Sequence, residues 1–142
     1  MTSPIHSSEH DALRASIRRF VEAEVTPFVD EWEAAGSFPD SLFERLGDLG
    51  FLGLHYPERW GGSGGDLAAG LLLMEELGRC GAGGISMAVG VQTHMATPAL
   101  AEFGTDEQRE TYLRPAIAGR RIAAIAISTT SCSSLRESTT TR

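Results

Sequence analysis

The chain has 142 residues, of which 42% are hydrophobic, and it carries a formal net charge of −7 at pH 7. This length and composition fit one domain with a buried core. All 12 basic residues are Arg, which excludes a Schiff-base lysine and a Walker-type phosphate loop within these residues. The acidic balance, without a basic run, argues against a nucleic-acid partner.

The chain shows no membrane or secretion segment. Its longest apolar run is far shorter than the roughly 20 residues of a membrane-spanning helix. Residues 1–11 have neither the basic nor the apolar part of a secretory signal. We therefore expect a cytoplasmic protein without membrane association. Cys80 and Cys132 lack CxxC spacing and are expected to be reduced thiols.

The first part of the chain predicts two amphipathic helices. Ser8 and Asp11 have the form of a capping box. Apolar residues at three- and four-residue spacing then extend the first helix past Pro27, which should kink or divide it. A second helix is expected to open at residues 37–39 and to end at Gly50. Its predicted apolar face consists of Leu42, Phe43, Leu46 and Leu49.

Residues 51–65 have no helical or strand periodicity and are rich in glycine, so they predict a loop, pinned down by its aromatic side chains. Asp66 is the predicted N-cap of a third helix. The adjacent Glu75 and Glu76 are interpreted as a solvated face, because neighbouring helix positions do not point into one site. The side chains expected to face inward are Leu67, Leu71, Met74 and Leu77.

The second half of the chain continues with helices and then has one apolar segment. A fourth helix is expected to start near Ile85 and to be kinked or divided at Pro98. Thr105 and Gln108 form a capping box ahead of a short helix. Residues 122–127 predict a buried strand, whose backbone groups a lone strand would leave unpaired. The sequence therefore predicts an all-α domain with one strand that needs partner strands.

Three local motifs have chemical interpretations that compete with structural ones. Ser63 lies in a G-x-S-x-G pattern, but no strand precedes it, so a glycine-rich turn is favoured over a serine hydrolase. His6 and His10 have the spacing of metal ligands on a helix, without an evident third ligand. His55 and His94 are interpreted as structural histidines with satisfied hydrogen bonds.

Gln92 and Thr93 are two polar residues inside the mainly apolar and small-residue segment GISMAVGVQTHMATPAL. Small neighbours allow another group to approach the helix closely, and buried polar side chains need hydrogen-bond partners. Composition alone favours ordinary packing over a ligand contact at these positions.

Four segments follow one another along the chain: YPERWGGSGGD, LLLMEELGR, GVQTHM and PALAEFGTDEQRETYLRPAIAGRRIAAIAIS. In this order and spacing they resemble the N-terminal part of the flavin-dependent acyl-CoA dehydrogenases, over about residues 7–128. The resemblance implies an all-α domain at 1–121 and the first strand of a β-barrel middle domain at 122–128. Residues 129–142 are rich in Ser and Thr and are expected to be disordered.

For a complete member, the resemblance implies FAD-dependent removal of the α and β hydrogens of an acyl-CoA thioester. A glutamate takes the α proton, the flavin takes the β hydrogen as hydride, and an electron-transfer flavoprotein accepts the electrons. The family's flavin-contacting strand corresponds to Ile125, Ala126, Ile127 and Ser128. The family's Glu-Pro and Gly-Ser-Asp do not follow, and the catalytic base is absent, so this chain alone is expected to be inactive and to bind FAD weakly or not at all.

The resemblance also implies substrate contacts. Gln92 and Thr93 match a Gln-Thr pair that lines the acyl pocket in some members, and Met95 and Ala96 are expected to face the same pocket. A related flavin-dependent oxidase or monooxygenase remains an alternative. So does a stand-alone helical module that uses uncovered apolar surface to bind a partner protein. We also expect a homo-oligomer.

Overall fold

The computed structural model of the chain describes residues 7–126, and every regular element in that range is helical. The predicted all-α architecture is confirmed for this range. No helix among these residues is long and apolar enough to cross a bilayer. The α-helices are α1 (Ser8–Phe20), α2 (Val29–Ala35), α3 (Ser41–Asp48), α4 (Leu67–Gly78), α5 (Gly83–Gly90), α6 (Thr97–Phe103), α7 (Asp106–Gln108) and α8 (Arg114–Ile117).

The main apolar core lies where α1 packs along α4, with α3 and α5 closing its sides. Its most deeply buried side chains include Ile17, Leu46, Leu73, Leu77 and Val89. A second, smaller cluster joins the segment at 51–65 to the last helices and consists of Tyr56, Trp60, Leu113 and Ile117. The loop prediction is confirmed in outline, since only two short 3₁₀ turns interrupt it and its aromatic side chains are buried.

Three π-helical turns each end two residues before a proline. They are Val21–Val25 before Pro27, Val91–Ala96 before Pro98, and Arg109–Leu113 before Pro115. Proline has no N–H to donate, and its ring clashes with the carbonyl four residues earlier. A turn widened by one residue removes that clash without ending the helical path. The predicted division of the helices at Pro27 and Pro98 is therefore confirmed. At each of these prolines, the preceding π turn lets the chain continue along a helical path.

Helix ends agree with most of the predicted caps. Asp66 accepts a hydrogen bond from the Ala69 amide at 3.0 Å, and Thr105 and Gln108 form the reciprocal capping box. The predicted box at Ser8 is wrong by one residue, because Ser7 is the N-cap of α1 and its hydroxyl accepts from the His10 amide. The second helix begins at residue 41 rather than 37–39, and Gly50 follows it in the left-handed conformation.

The predicted inward face of α4 is wrong at Leu67 and Leu71 and confirmed at Leu77. Leu67 is 68% exposed and Leu71 is 52% exposed, whereas Glu76 is fully buried. The true stripe runs at three- and four-residue spacing and includes Glu76. Its members are Ala69, Leu72, Leu73, Glu76 and Leu77. The interpretation of a solvated face is wrong for Glu76 and confirmed for Glu75, and Arg14 contacts both carboxylates.

The predicted strand does not form in the part of the chain that the structure describes. Residues 122–126 have no regular structure, and Ile127, the last residue of the prediction, lies outside the described range. The backbone there finds side-chain rather than strand partners, since the Ala123 amide donates to Gln92 Oε1 at 2.7 Å. An apolar segment pairs as a strand only beside another strand, and none exists in residues 7–126.

Candidate functional site

Gln92 sits in the π turn at 91–96 and holds the segment that follows the last helix. Its side chain is 1% exposed. Nε2 donates to the Ala116 carbonyl and the Arg121 carbonyl, both at 3.0 Å, while Oε1 accepts from the Ala123 amide at 2.7 Å. One amide group therefore joins three backbone positions and fixes the direction in which the chain leaves the helices.

Thr93 and Thr97 attach the same turn to Tyr56 on the 51–65 segment. The Tyr56 hydroxyl donates to the Thr93 carbonyl at 3.0 Å and lies 2.7 Å from the Thr97 hydroxyl. Thr97 also donates to the Gln92 carbonyl, and the Thr93 hydroxyl donates to the Val89 carbonyl at 2.8 Å. These bonds give side-chain donors to carbonyl groups in and beside the π turn and connect the turn to the 51–65 segment.

His55 and His94 meet beside this network, with ring centroids 5.3 Å apart. Burial lowers the pKa of both imidazoles below the ordinary value, and for His55 the neighbouring His94 lowers it further. Each histidine is half-buried. The prediction of satisfied structural histidines is wrong for His94, whose Nε2 is buried without a hydrogen-bond partner in the described structure.

The remaining predicted site residues fall into two groups. Met95 is 50% exposed and Ala96 is half-buried, so this side of the π turn reaches the surface while Gln92 and Thr93 point inward. Ile125 and Ala126 are exposed at the end of the described chain. Ile127 and Ser128 lie outside the described residues.

Sequence reasoning missed a buried ion-pair cluster between α1 and α4. The Glu76 carboxylate accepts from Arg18 through two bonds of 2.8 Å and from Arg14 at 2.9 Å, and Arg79 lies 3.6 Å away. Hydrogen bonds from Arg18 and Arg14 hold the pKa of Glu76 below its ordinary value, against the burial that would raise it. The available signal was the spacing of Arg14 and Arg18, which places both on one face of α1.

The hydrolase motif is followed by α4 but lacks the strand that must precede the serine. Ser63 follows 3₁₀ turns rather than a strand, and its amide donates to the Gly53 carbonyl in a turn. His10 lies 3.1 Å from Asp66 and bridges it to Ser7, so it links the caps of α1 and α4. His6 lies outside the described residues, and residues 7–126 contain no group of three or more His, Cys, Asp or Glu side chains arranged to hold a metal.

Comparison with known proteins identifies the helical unit. The family model described as the acyl-CoA dehydrogenase N-terminal domain matches residues 7–120. The chain belongs to the acyl-CoA dehydrogenase family. The matched range contains α1 to α8, including the π turn at 91–96 that carries Gln92 and Thr93. The fold described above is therefore that of the N-terminal domain of this family.

Named relatives support the assignment to the acyl-CoA dehydrogenase family. The rat long-chain specific acyl-CoA dehydrogenase, mitochondrial, is 39% identical over 125 residues, which are 87% of this chain and 28% of the rat protein. The caffeyl-CoA reductase-Etf complex subunit CarC of Acetobacterium woodii is 35% identical over 85% of this chain and 32% of its own length. Relatives thus include a dehydrogenase and a subunit of an Etf complex.

Solved structures of acyl-CoA dehydrogenases have the same fold. The enzyme from Geobacillus kaustophilus has a TM-score of 0.80 at 32% identity, over 85% of this chain and 31% of that one. The Bacillus anthracis enzyme complexed with FAD has a TM-score of 0.78 at 30% identity, over 87% of this chain and 21% of that one. This chain therefore spans about a third or less of the length of these relatives.

Proposed function

We propose that this chain is the N-terminal helical part of an acyl-CoA dehydrogenase-like flavoprotein, which in complete form oxidises an acyl-CoA thioester at its α,β bond with FAD. The observation that carries the proposal is the match of the family's N-terminal domain over residues 7–120. The name of the rat relative supports the acyl-CoA substrate, and the Bacillus anthracis complex supports the cofactor.

In the complete protein, the π turn forms one wall of the acyl pocket. Met95 and Ala96 contact the acyl chain, which agrees with their position on the accessible side of the turn. Gln92 and Thr93 belong to the same pocket wall. Their side chains bond to backbone carbonyl groups and so hold the turn in place, while the apolar side chains of the turn face the acyl chain. A rigid pocket wall keeps the substrate aligned and excludes water from the reacting carbons.

The segment that Gln92 holds leads towards the cofactor. We assign the flavin contact to Ile125, Ala126, Ile127 and Ser128, which follow the clamped backbone at Ala123. FAD supplies the hydride acceptor when it is bound. This chain has no residue assigned as the catalytic base, and we propose that alone it is inactive and binds FAD weakly or not at all.

The electron acceptor of the complete protein is proposed to be an electron-transfer flavoprotein. The Etf-complex subunit among the relatives supports this choice over an oxidase or a monooxygenase. The rate at which the reduced complete protein is reoxidised by each acceptor distinguishes a dehydrogenase from an oxidase or a monooxygenase. A dehydrogenase transfers its electrons to added electron-transfer flavoprotein and reacts slowly with oxygen, whereas rapid oxygen consumption identifies an oxidase or monooxygenase.

A chimera tests the proposed function. Residues 1–126 replace the corresponding part of the Geobacillus kaustophilus relative, and the purified product is expected to hold flavin and to reduce a dye with acyl-CoA. The Met95→Arg chimera is the matched control and should retain flavin while it loses acyl-CoA turnover. A folded chimera with flavin but without turnover contradicts the substrate assignment, and one without flavin contradicts the domain assignment.

A protein-interaction module is the second candidate function, favoured by exposed apolar side chains. Phe103 is 79% exposed, Leu67 is 68% exposed and Met87 is 63% exposed. Apolar surface of this kind tends to be covered by a partner. Light scattering after size-exclusion chromatography measures whether the 142-residue chain forms a homo-oligomer. A stable, colourless oligomer that Phe103→Ser dissociates supports the module, while a monomer at all concentrations excludes self-association through this surface.

A further inference from the structure

The Thr93 carbonyl lies where the π turn at 91–96 and the following proline remove its helical donors. In an α-helix the Thr97 amide would donate to it, but in the π turn that amide donates to the Gln92 carbonyl. The next amide along the chain would belong to Pro98, which has no N–H. Because Thr93 is buried, its carbonyl needs a side-chain donor.

The Tyr56 hydroxyl supplies a hydrogen to this carbonyl. Its oxygen lies 3.0 Å from the Thr93 carbonyl oxygen and 2.7 Å from the Thr97 hydroxyl. Thr97 gives its own hydroxyl hydrogen to the Gln92 carbonyl, so the hydrogen of Tyr56 serves both contacts as a bifurcated bond. Burial raises the pKa of Tyr56, so the hydroxyl keeps its proton and remains a donor at neutral pH.

The 51–65 segment holds the Tyr56 ring in place from the other side. The Tyr56 amide donates to the Gly53 carbonyl at 3.1 Å, and the Gly64 amide donates to the Tyr56 carbonyl at 2.9 Å. The side chain is buried in the cluster with Trp60 and Leu113. The hydroxyl therefore reaches the π turn from a fixed direction, and the turn rests on a side chain that lies 37 positions earlier in the chain.

We propose that Tyr56 is a positioning residue of the acyl pocket, whose hydroxyl keeps the turn at 91–96 in π pairing and so sets which of its side chains face the acyl chain. In α pairing the Thr97 amide would satisfy the Thr93 carbonyl, and the residues before it would rotate by about 100° relative to α6, the angle of one helical residue. Met95 and Gln92 would then leave their present positions. The pocket itself rests on the proposed function, whereas the pairing of the turn does not.

Hydrogen exchange of the 142-residue chain, followed by mass spectrometry, tests the effect on the turn. Tyr56→Phe removes the hydroxyl and keeps the ring. We expect exchange at residues 91–97 to become roughly threefold to tenfold faster, the effect of one lost hydrogen bond, while α1 and α4 keep their protection. Tyr112→Phe is the matched control, because it takes the same hydroxyl from a ring that is 50% exposed, and it should leave exchange at 91–97 unchanged.

The chimera with the Geobacillus kaustophilus relative tests the effect on the pocket. With Tyr56→Phe in the chimera, the KM for acyl-CoA should rise up to about tenfold while the flavin content stays the same, because the pocket wall changes and the cofactor segment remains. Tyr112→Phe in the chimera should change neither quantity. A purely structural role of Tyr56 would instead lower the yield of folded, flavin-loaded chimera without a change in KM.

The outcomes separate this proposal from the proposed function. If the chimera without further substitution has no turnover, the proposed function fails, and the exchange measurement alone decides the role of Tyr56 in the turn. Unchanged exchange at 91–97 in Tyr56→Phe, or an increase of the same size in α1 and α4, overturns the proposal. So does an active chimera in which Tyr56→Phe leaves the KM for acyl-CoA unchanged.

Discussion

Arg18 and Glu76 are 58 positions apart in the chain and are joined by two hydrogen bonds of 2.8 Å, from Nε and from one terminal nitrogen of the guanidinium. Arg14 donates to the same carboxylate at 2.9 Å. Because Glu76 is fully buried, this cluster is the main polar connection between α1 and α4. A buried carboxylate is tolerated only when charged donors satisfy it, so the packing of these two helices depends on both arginines.

Replacement of Glu76 by Gln should destabilise the fold by about 3 kcal/mol, the lower end of the cost of breaking a buried ion pair. The amide keeps the size of the side chain but puts an N–H₂ group against arginine donors. Equilibrium denaturation in urea measures the loss. The control is Glu75→Gln on the same helix, where the carboxylate that pairs with Arg14 is exposed to solvent and the expected loss is much smaller. Equal losses in the two variants would contradict the role assigned to burial.

The buried face of α4 could not be predicted from the spacing of its apolar residues alone. Leu71, Leu72 and Leu73 are consecutive, so apolar spacing alone allows more than one inward face. The face that is buried includes Glu76, whereas the general tendency of charged side chains to be exposed predicts that Glu76 lies at the surface. Only the pairing of α4 with α1, a contact between distant segments, shows that Arg14 and Arg18 satisfy this carboxylate.

Local signals were more reliable than tertiary ones. The caps at Asp66 and Thr105 and the divisions at Pro27 and Pro98 follow from hydrogen bonds within a few residues, which the sequence contains in full. The strand prediction failed because β structure needs a partner that residues 7–126 do not supply. The missing hydrogen-bond partner of His94 Nε2 was equally unpredictable, since this atom is buried by contacts with the distant segments at His55 and Gly70.

Acid should destabilise the protein through the histidine pair. Burial lowers the folded-state pKa of His55 and His94 below the value of 6.5 expected in the unfolded chain. As pH falls below 6.5, the unfolded state binds protons that the folded state does not, so the free energy of unfolding decreases until the folded-state pKa is passed. The decrease between pH 7 and pH 5 should be smaller in His94→Gln. Proton NMR of the imidazole rings checks the cause, and titration of either ring above 6.5 would contradict it.

Two helical glycines should respond to alanine in opposite directions. A Cβ on Gly47 would lie 2.3 Å from the backbone of Ala118, so Gly47→Ala should separate α3 from the chain after α8 and cost about 1–3 kcal/mol. A Cβ on Gly78 meets nothing within 4 Å, and Gly78→Ala should stabilise α4 by about 0.5–1 kcal/mol. Thermal unfolding of both variants beside the unmodified chain measures the difference. A gain in stability for Gly47→Ala would show that the contact between α3 and Ala118 is not maintained in solution.

Gln92→Leu should release the segment after the last helix while the helices remain folded. Leucine keeps the bulk of the side chain but loses the bonds to Ala116, Arg121 and Ala123, at a cost of about 0.5–1.5 kcal/mol for each bond. The Ala116 carbonyl still accepts from the Gly119 amide, so the loss falls mainly on the segment at Arg121 and Ala123. Hydrogen exchange followed by mass spectrometry should then show faster exchange at residues 121–126 than in α1 and α4. Met95→Leu, on the exposed side of the same turn, is the matched control and should leave exchange unchanged. The proposed flavin contacts begin at Ile125, within this segment. Unchanged exchange in Gln92→Leu would mean that the direction in which the chain leaves the helices does not depend on Gln92.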